Sequence, residues 1–279
     1  MCTYCRSFAG DFCSLYQKPR SASEEPLFLP GLRASNVWYG HELSVCWMQT
    51  ELPEGFAEKM KEAGLAETYE ESGWCFVEAA ISAGVKVGKR RLDLGKRTER
   101  AMRNAYGGLW GAENMLEGVC AAARLPPLLP DEVRRLLECE KKFTASADVD
   151  VVDGLYRRFF EGITSAATHL DMSGLRWGEV EARQLVGVLP RFEALTSLDL
   201  SKNKLGAKGA QPLAEALKSG SSALTSLDLS DNYGGPEFGK AIAEGIKGSS
   251  ALKTLNLRAT DSTRRRARRL PPPWRSTPR

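Results

Sequence analysis

The hydrophobic and polar positions of this chain repeat with a fixed step in its second half. An alternating phrase returns four times, as His-Leu-Asp-Met-Ser, Ser-Leu-Asp-Leu-Ser, Ser-Leu-Asp-Leu-Ser and Thr-Leu-Asn-Leu-Arg, around Leu170, Leu198, Leu227 and Leu255. The steps are 28, 29 and 28 residues, and a period of that length marks an array of similar stacked units. Within each phrase leucines alternate with polar residues, as a short strand buried on one side requires. Apolar pairs four apart follow each strand, Leu185 with Leu189, Leu213 with Leu217 and Ile242 with Ile246, which is the spacing of one helix face. Neither element can bury its apolar side alone, so neighbouring copies must stack.

Reading down the copies gives each column a role. One column runs Leu175, Asn203, Asn232, Thr260. Asn203 and Asn232 fall where the chain must turn after the strand, and a side-chain amide there can bond backbone groups left open by the turn; both are expected to be structural. The solvent-facing column runs Asp171, Asp199, Asp228, Asn256, flanked by His169, Ser197, Ser226, Thr254 and by Ser173, Ser201, Ser230, Arg258. Such an acidic, hydroxyl-rich face would suit a basic segment of a protein partner. Aspartate and serine are also ordinary solvent-facing choices, and these columns offer no aromatic anchor of the kind that dominates tight interfaces.

Leu195, Leu198, Leu200 and Leu205, with Asn203, fit L-x-x-L-x-L-x-x-N-x-L, which resembles the leucine-rich repeat. The 28/29 alternation, with a Gly-Ala-x-x-Leu-Ala-x-x-Leu phrase after the strand, is similar to the ribonuclease-inhibitor subclass shared by NLR immune receptors. This resemblance covers residues 166–258. It implies an α/β fold in which a short solenoid carries parallel strands inside and helices outside. The implied function is an intracellular protein–protein interaction module, receptor-like in immunity or signalling, non-enzymatic and without a cofactor. Its concave face would be built from His169, Asp171, Ser197, Asp199, Ser226, Asp228 and Asn256. After Leu257 the expected helix gives way to Asp-Ser-Thr-Arg-Arg-Arg-Ala-Arg-Arg-Leu-Pro-Pro-Pro-Trp. That change suggests a truncated or misread longer array, a fragment without autonomous function, or an open edge that meets a partner.

Before the repeats, residues 148–163 read as a capped amphipathic helix, with Val149, Val152, Tyr156, Phe159, Phe160 and Ile163 on one face and Asp148 able to cap. It is expected to cover the first repeat. A second helix is expected over 131–142, with acids at its start and lysines at its end. The proline-rich stretch 125–130 marks the expected boundary, and residues 93–165 form a helical linker and cap.

Around Tyr69 the chain reads Thr-Tyr-Glu-Glu-Ser-Gly-Trp-Cys-Phe-Val-Glu-Ala-Ala-Ile. Together with Asp-Phe-Cys-Ser-Leu at 11–15 and Val-Cys-Trp-Met at 45–48, this resembles the TIR domains of plant immune receptors and the related fungal HET domains. The resemblance implies a TIR/HET-like α/β domain over residues 1–92, with a Trp-led helix carrying a glutamate. In NAD-cleaving members that glutamate stabilises cationic charge on the ribose, as carboxylates do in glycoside hydrolysis. Carried over, the alternative function is an NAD glycohydrolase with NAD as substrate, Glu78 as the essential carboxylate and Trp74 as a stacking wall. Only ten residues precede Asp11, where the family has its first strand and nucleotide-contacting loop, so the domain is expected to be partial.

Composition changes this picture little. The 279 residues carry a formal charge of +4, but residues 258–279 hold eight arginines against Asp261. The remainder has 31 basic and 34 acidic residues, a net −3, so no nucleic-acid groove is expected. Residues 259–279 are expected to form a disordered basic tail; Arg264 to Arg269 would suit nuclear localisation or RNA contact. The chain has no apolar run near the length of a membrane helix and no secretory leader pattern, which points to the cytoplasm, or to the nucleus if the tail directs it there. Seven irregularly spaced cysteines fit reduced thiols. Cys2, Cys5 and Cys13 with His41 make a weak zinc pattern, and no metal is expected.

Overall fold

The computed structural model describes residues 20–34, 39–41, 43–86, 90–98, 119–218 and 223–260. Cys2, Cys5 and Cys13, the segment 11–15 and all but the first two residues of the basic tail lie outside that set. The structure is mixed α/β, with parallel strands in two sheets, and divides into two compact units, Met1–Ile163 and Thr164–Arg279. Among the described residues no helix is long and apolar enough to cross a membrane.

The first unit contains α1 (Glu25–Ala34), β1 (Cys46–Met48), α2 (Phe56–Glu62), α3 (Gly73–Val85), β2 (Arg91–Asp93), α4 (Pro130–Cys139) and most of α5 (Asp148–Ala166). Strands β1 and β2 pair in parallel, Cys46 with Arg91 through Met48 with Asp93. Helix α3 begins at Ser72, whose hydroxyl accepts the Cys75 amide, and it buries Cys75, Val77 and Ile81. Two glycines let it pack closely. A Cβ at Gly73 would lie 2.0 Å from the Phe143 ring, and one at Gly84 would lie 2.6 Å from Phe159 of α5.

The proline stretch 125–130 belongs to this unit. The Tyr156 hydroxyl donates to Leu128 O at 2.8 Å and accepts the Leu128 amide at 3.0 Å. Burial pushes that phenol up from its ordinary value. Arg124 then donates to Ala83 O at 2.6 Å and Gly84 O at 2.9 Å. A composition typical of linkers is thus pinned by hydrogen bonds that composition cannot reveal.

The second unit contains β3 (His169–Asp171), α6 (Glu179–Val188), β4 (Ser197–Asp199), α7 (Gly206–Lys218), β5 (Ser226–Asp228), α8 (Gly235–Ile246) and β6 (Thr254–Asn256). Its sheet runs β3-β4-β5-β6, all parallel, with Leu170, Leu198, Leu227 and Leu255 in register. Leu198 and Leu227 are buried; each such side chain removed from water is worth about 2 kcal/mol before entropy is counted. After each strand the chain turns through a left-handed residue at one fixed position, Gly174, Lys202, Asp231 and Ala259.

The third copy shows how the core tolerates a changed sequence. Gly234 stands where the second copy has Leu205, and Phe238 stands where it has Gly209. A Cβ on Gly234 would lie 2.3 Å from Phe238 Cβ, and one on Gly209 would lie 3.1 Å from Leu205 Cβ. Large and small have exchanged places, so the volume between strand and helix stays filled, as a close-packed interior demands.

Candidate functional site: the outer face of the parallel sheet

Register brings the polar columns into rows across the four strands: His169, Ser197, Ser226 and Thr254, then Asp171, Asp199, Asp228 and Asn256. His169, Asp171 and Thr254 are exposed, and the others are half-buried. Adjacent strands lie about 4.8 Å apart, so three carboxylates stand close together on one face. Each is partly offset by a backbone amide. The Ser173 amide donates to Asp171 Oδ1 at 2.9 Å, Ser201 to Asp199 at 2.8 Å and Ser230 to Asp228 at 2.8 Å. The Arg258 amide does the same to Asn256 Oδ1 at 3.1 Å. This local bond to the amide two residues on ends every strand at the same place.

The aspartate column therefore shapes the backbone while presenting charge. Asn256 Nδ2 donates to Asp228 Oδ2 at 2.8 Å. Burial pushes the Asp228 carboxyl up, but the Ser230 hydroxyl and amide, Asn256 and the charge of Lys202 outweigh it and hold it below the usual carboxylate range. A face of this kind can accept hydrogen bonds and attract cations.

Behind it lies the asparagine ladder. Asn203 Nδ2 donates to Met172 O at 2.8 Å and Leu200 O at 3.0 Å, while its Oδ1 accepts the Trp177 amide at 3.1 Å. Asn232 repeats this one copy later, donating to Leu200 O and Leu229 O at 2.9 Å each and accepting from Leu205 at 3.3 Å. Each buried amide thus ties its own turn to the preceding copy. At the fourth position Thr260 Oγ1 bonds Leu257 O in its own copy.

The residues of the NAD alternative lie in the first unit. Trp74 and Glu78 are both half-buried on α3. Trp74 Nε1 donates to Asp148 Oδ2 at 3.0 Å, fastening α3 to the start of α5. Glu78 sits in the field of Cys46, whose thiol is pushed up by burial, drawn back by Ser82, Arg91 and Lys86, and raised further by Glu78.

Sequence reasoning missed the cations around the end of α3. Lys86 is fully buried, and its Nζ donates to Ser44 Oγ at 2.7 Å, Ser44 O at 3.0 Å and His41 O. Arg91 donates to Ser82 Oγ at 3.0 Å and Ala79 O at 3.1 Å. Arg124, bound to Ala83 O and Gly84 O, brings positive charge to carbonyls in the last turn of α3, at the negative end of its dipole. Burial pulls Lys86 and Arg91 below their ordinary values. Nothing in the local spacing of these residues signals burial.

Against known families, residues 194–214 match the family model described as Leucine Rich repeat. The match spans the second copy from Ala194 to Ala214, including β4, Asn203 and most of α7, and it establishes a leucine-rich-repeat segment there. No curated protein matches the chain.

Proposed function

We propose that the second unit is a protein-interaction module, a short leucine-rich-repeat solenoid of the ribonuclease-inhibitor type, whose concave face takes a basic segment of a partner protein. The observation that carries this reading is the in-register row Asp171, Asp199, Asp228 beside hydroxyls Ser197 and Ser226. Like charges on neighbouring strands repel, and a cationic segment lying across them relieves that repulsion. The resemblance of its 28/29-residue period to NLR receptors supports reading the module as one of intracellular signalling. The parallel β1–α3–β2 arrangement, with Trp74 in the first turn of its helix, supports reading the first unit as a partial TIR- or HET-like domain.

The test uses a fluorescent lysine- and arginine-rich peptide titrated into the full chain and followed by anisotropy. Asp199→Lys with Asp228→Lys should weaken its binding by roughly tenfold or more, mainly through slower association. Unchanged binding by the double variant would refute the concave-face site.

A further inference from the structure

At the fourth copy the pattern of burial changes column by column. Leu217, Leu224 and Leu227 are buried, at 6%, 4% and 2% exposed, with the following copy against them. Their counterparts Ile246, Leu252 and Leu255 are half-buried. With Ser249, Lys253 and Thr254 they line a groove of about 270 Å³ between α8 and β6.

The backbone continues the same pattern. Thr168 O accepts the Thr196 and Ser197 amides, Thr196 O accepts those of Thr225 and Ser226, and Thr225 O accepts those of Lys253 and Thr254. In return Met172, Leu200 and Leu229 each donate an amide to the following strand, at Asp199 O, Asp228 O and Asn256 O. One step further, Lys253 O is the acceptor and Leu257 N the donor, and among the described residues neither meets a following strand. An edge with a row of unpaired backbone groups beside an apolar groove is a template for another strand.

We propose that the outer edge of β6 is a second interaction site, which takes an extended, leucine-bearing segment of a partner protein as an added parallel strand. The segment supplies two consecutive amides to Lys253 O and a carbonyl to Leu257 N. Its apolar side chains, spaced as Leu224, Leu227 and Leu229 are, fill the groove. Charge favours an acidic residue between them. Asn256 stands where the interior copies carry aspartate, and Lys253 and Arg258 are exposed on the edge. The site continues the interface that already joins each copy to the next and is separate from the acidic face.

A labelled peptide with the sequence of residues 223–232, Ala-Leu-Thr-Ser-Leu-Asp-Leu-Ser-Asp-Asn, is such a segment and serves as the probe. Titrated with the full chain, it should bind saturably. Methylating in the peptide the two amides that correspond to Thr225 and Ser226 should weaken binding by roughly tenfold or more; this change leaves the protein untouched, so the outcome does not hang on a variant folding. Leu255→Asp in the protein should weaken it similarly with an unaltered circular dichroism spectrum. An excess of the basic peptide should not displace the probe, which separates this site from the concave face. Absence of saturation up to about 1 mM, or equal binding by the methylated peptide, overturns the proposal. Sedimentation showing a dimer that Leu255→Asp dissolves overturns it in favour of a second copy of the chain.

Discussion

Asn203 illustrates how one side chain can hold two copies of the repeat together. Its amide is buried and fully engaged, with two carbonyls and one amide of the neighbouring backbone as partners. Asn203→Ala leaves those buried groups unsatisfied and should lower unfolding stability by about 2–4 kcal/mol, measured by urea titration. Asn203→Asp should cost a similar amount at neutral pH, because a carboxylate cannot donate to Met172 O or Leu200 O. This role was legible in the sequence, since the turn residue recurs at a fixed distance from the anchor leucine. The partners of Lys86 and Arg124 were not, because they lie on segments distant in the chain.

Asp228 adds a dependence on pH at the same scale. Its folded value is depressed below the unfolded one, so its contribution to stability is complete above the unfolded value of about 3.9. That contribution is lost as pH falls through the lower folded value. Asp228→Asn should flatten this part of the acid-denaturation curve, as followed by circular dichroism, while leaving the profile above about pH 5 unchanged.

Between elements, α7 and α8 of the second unit approach closely at Gly245. A Cβ on Gly245 would lie 2.6 Å from Ala214 Cα and 2.7 Å from its carbonyl oxygen. Backbone cannot yield as a flexible side chain can, so Gly245→Ala should force the helices apart and cost about 1–3 kcal/mol, visible as a lower thermal midpoint. Periodicity predicted that a helix lies here and which face it buries. It did not predict the closeness of the approach, which depends on the residue opposite. The same limit applies to Gly234 and Phe238, whose exchange of volume with Leu205 and Gly209 shows only when strand and helix are superposed in space. Helix α5 is the converse case. Val152, Tyr156, Phe159 and Phe160 are all buried, as their spacing requires.

Across the whole chain, what could be read from the sequence follows the repeat. In the second unit a local pattern is copied, so each copy checks the reading of the others, and strands, helices and the acidic row could all be placed from spacing. The first unit has no such redundancy. Its interior is set by long-range bonds such as that of Trp74 to Asp148. Charge is also unequal along the chain, with the cationic excess after residue 258 and an acidic row on the sheet. Exposed charges are screened over roughly 8 Å at physiological salt, so binding of the basic peptide should fall steeply as salt is raised.

The left-handed turn residue after each strand links these scales. Lys202 and Asp231 hold a conformation that costs a side-chain-bearing residue about 1 kcal/mol, and Gly174 holds it freely. The amide of each donates to the next copy, Gly174 to Ser201 O, Lys202 to Ser230 O and Asp231 to Arg258 O. The strain in one copy is therefore compensated by its successor, and a successor's loss is felt one turn back. Unravelling, once begun, would travel inward from β6, the last strand among the described residues, like a zip, and any chain that settles against it would hold the whole row closed.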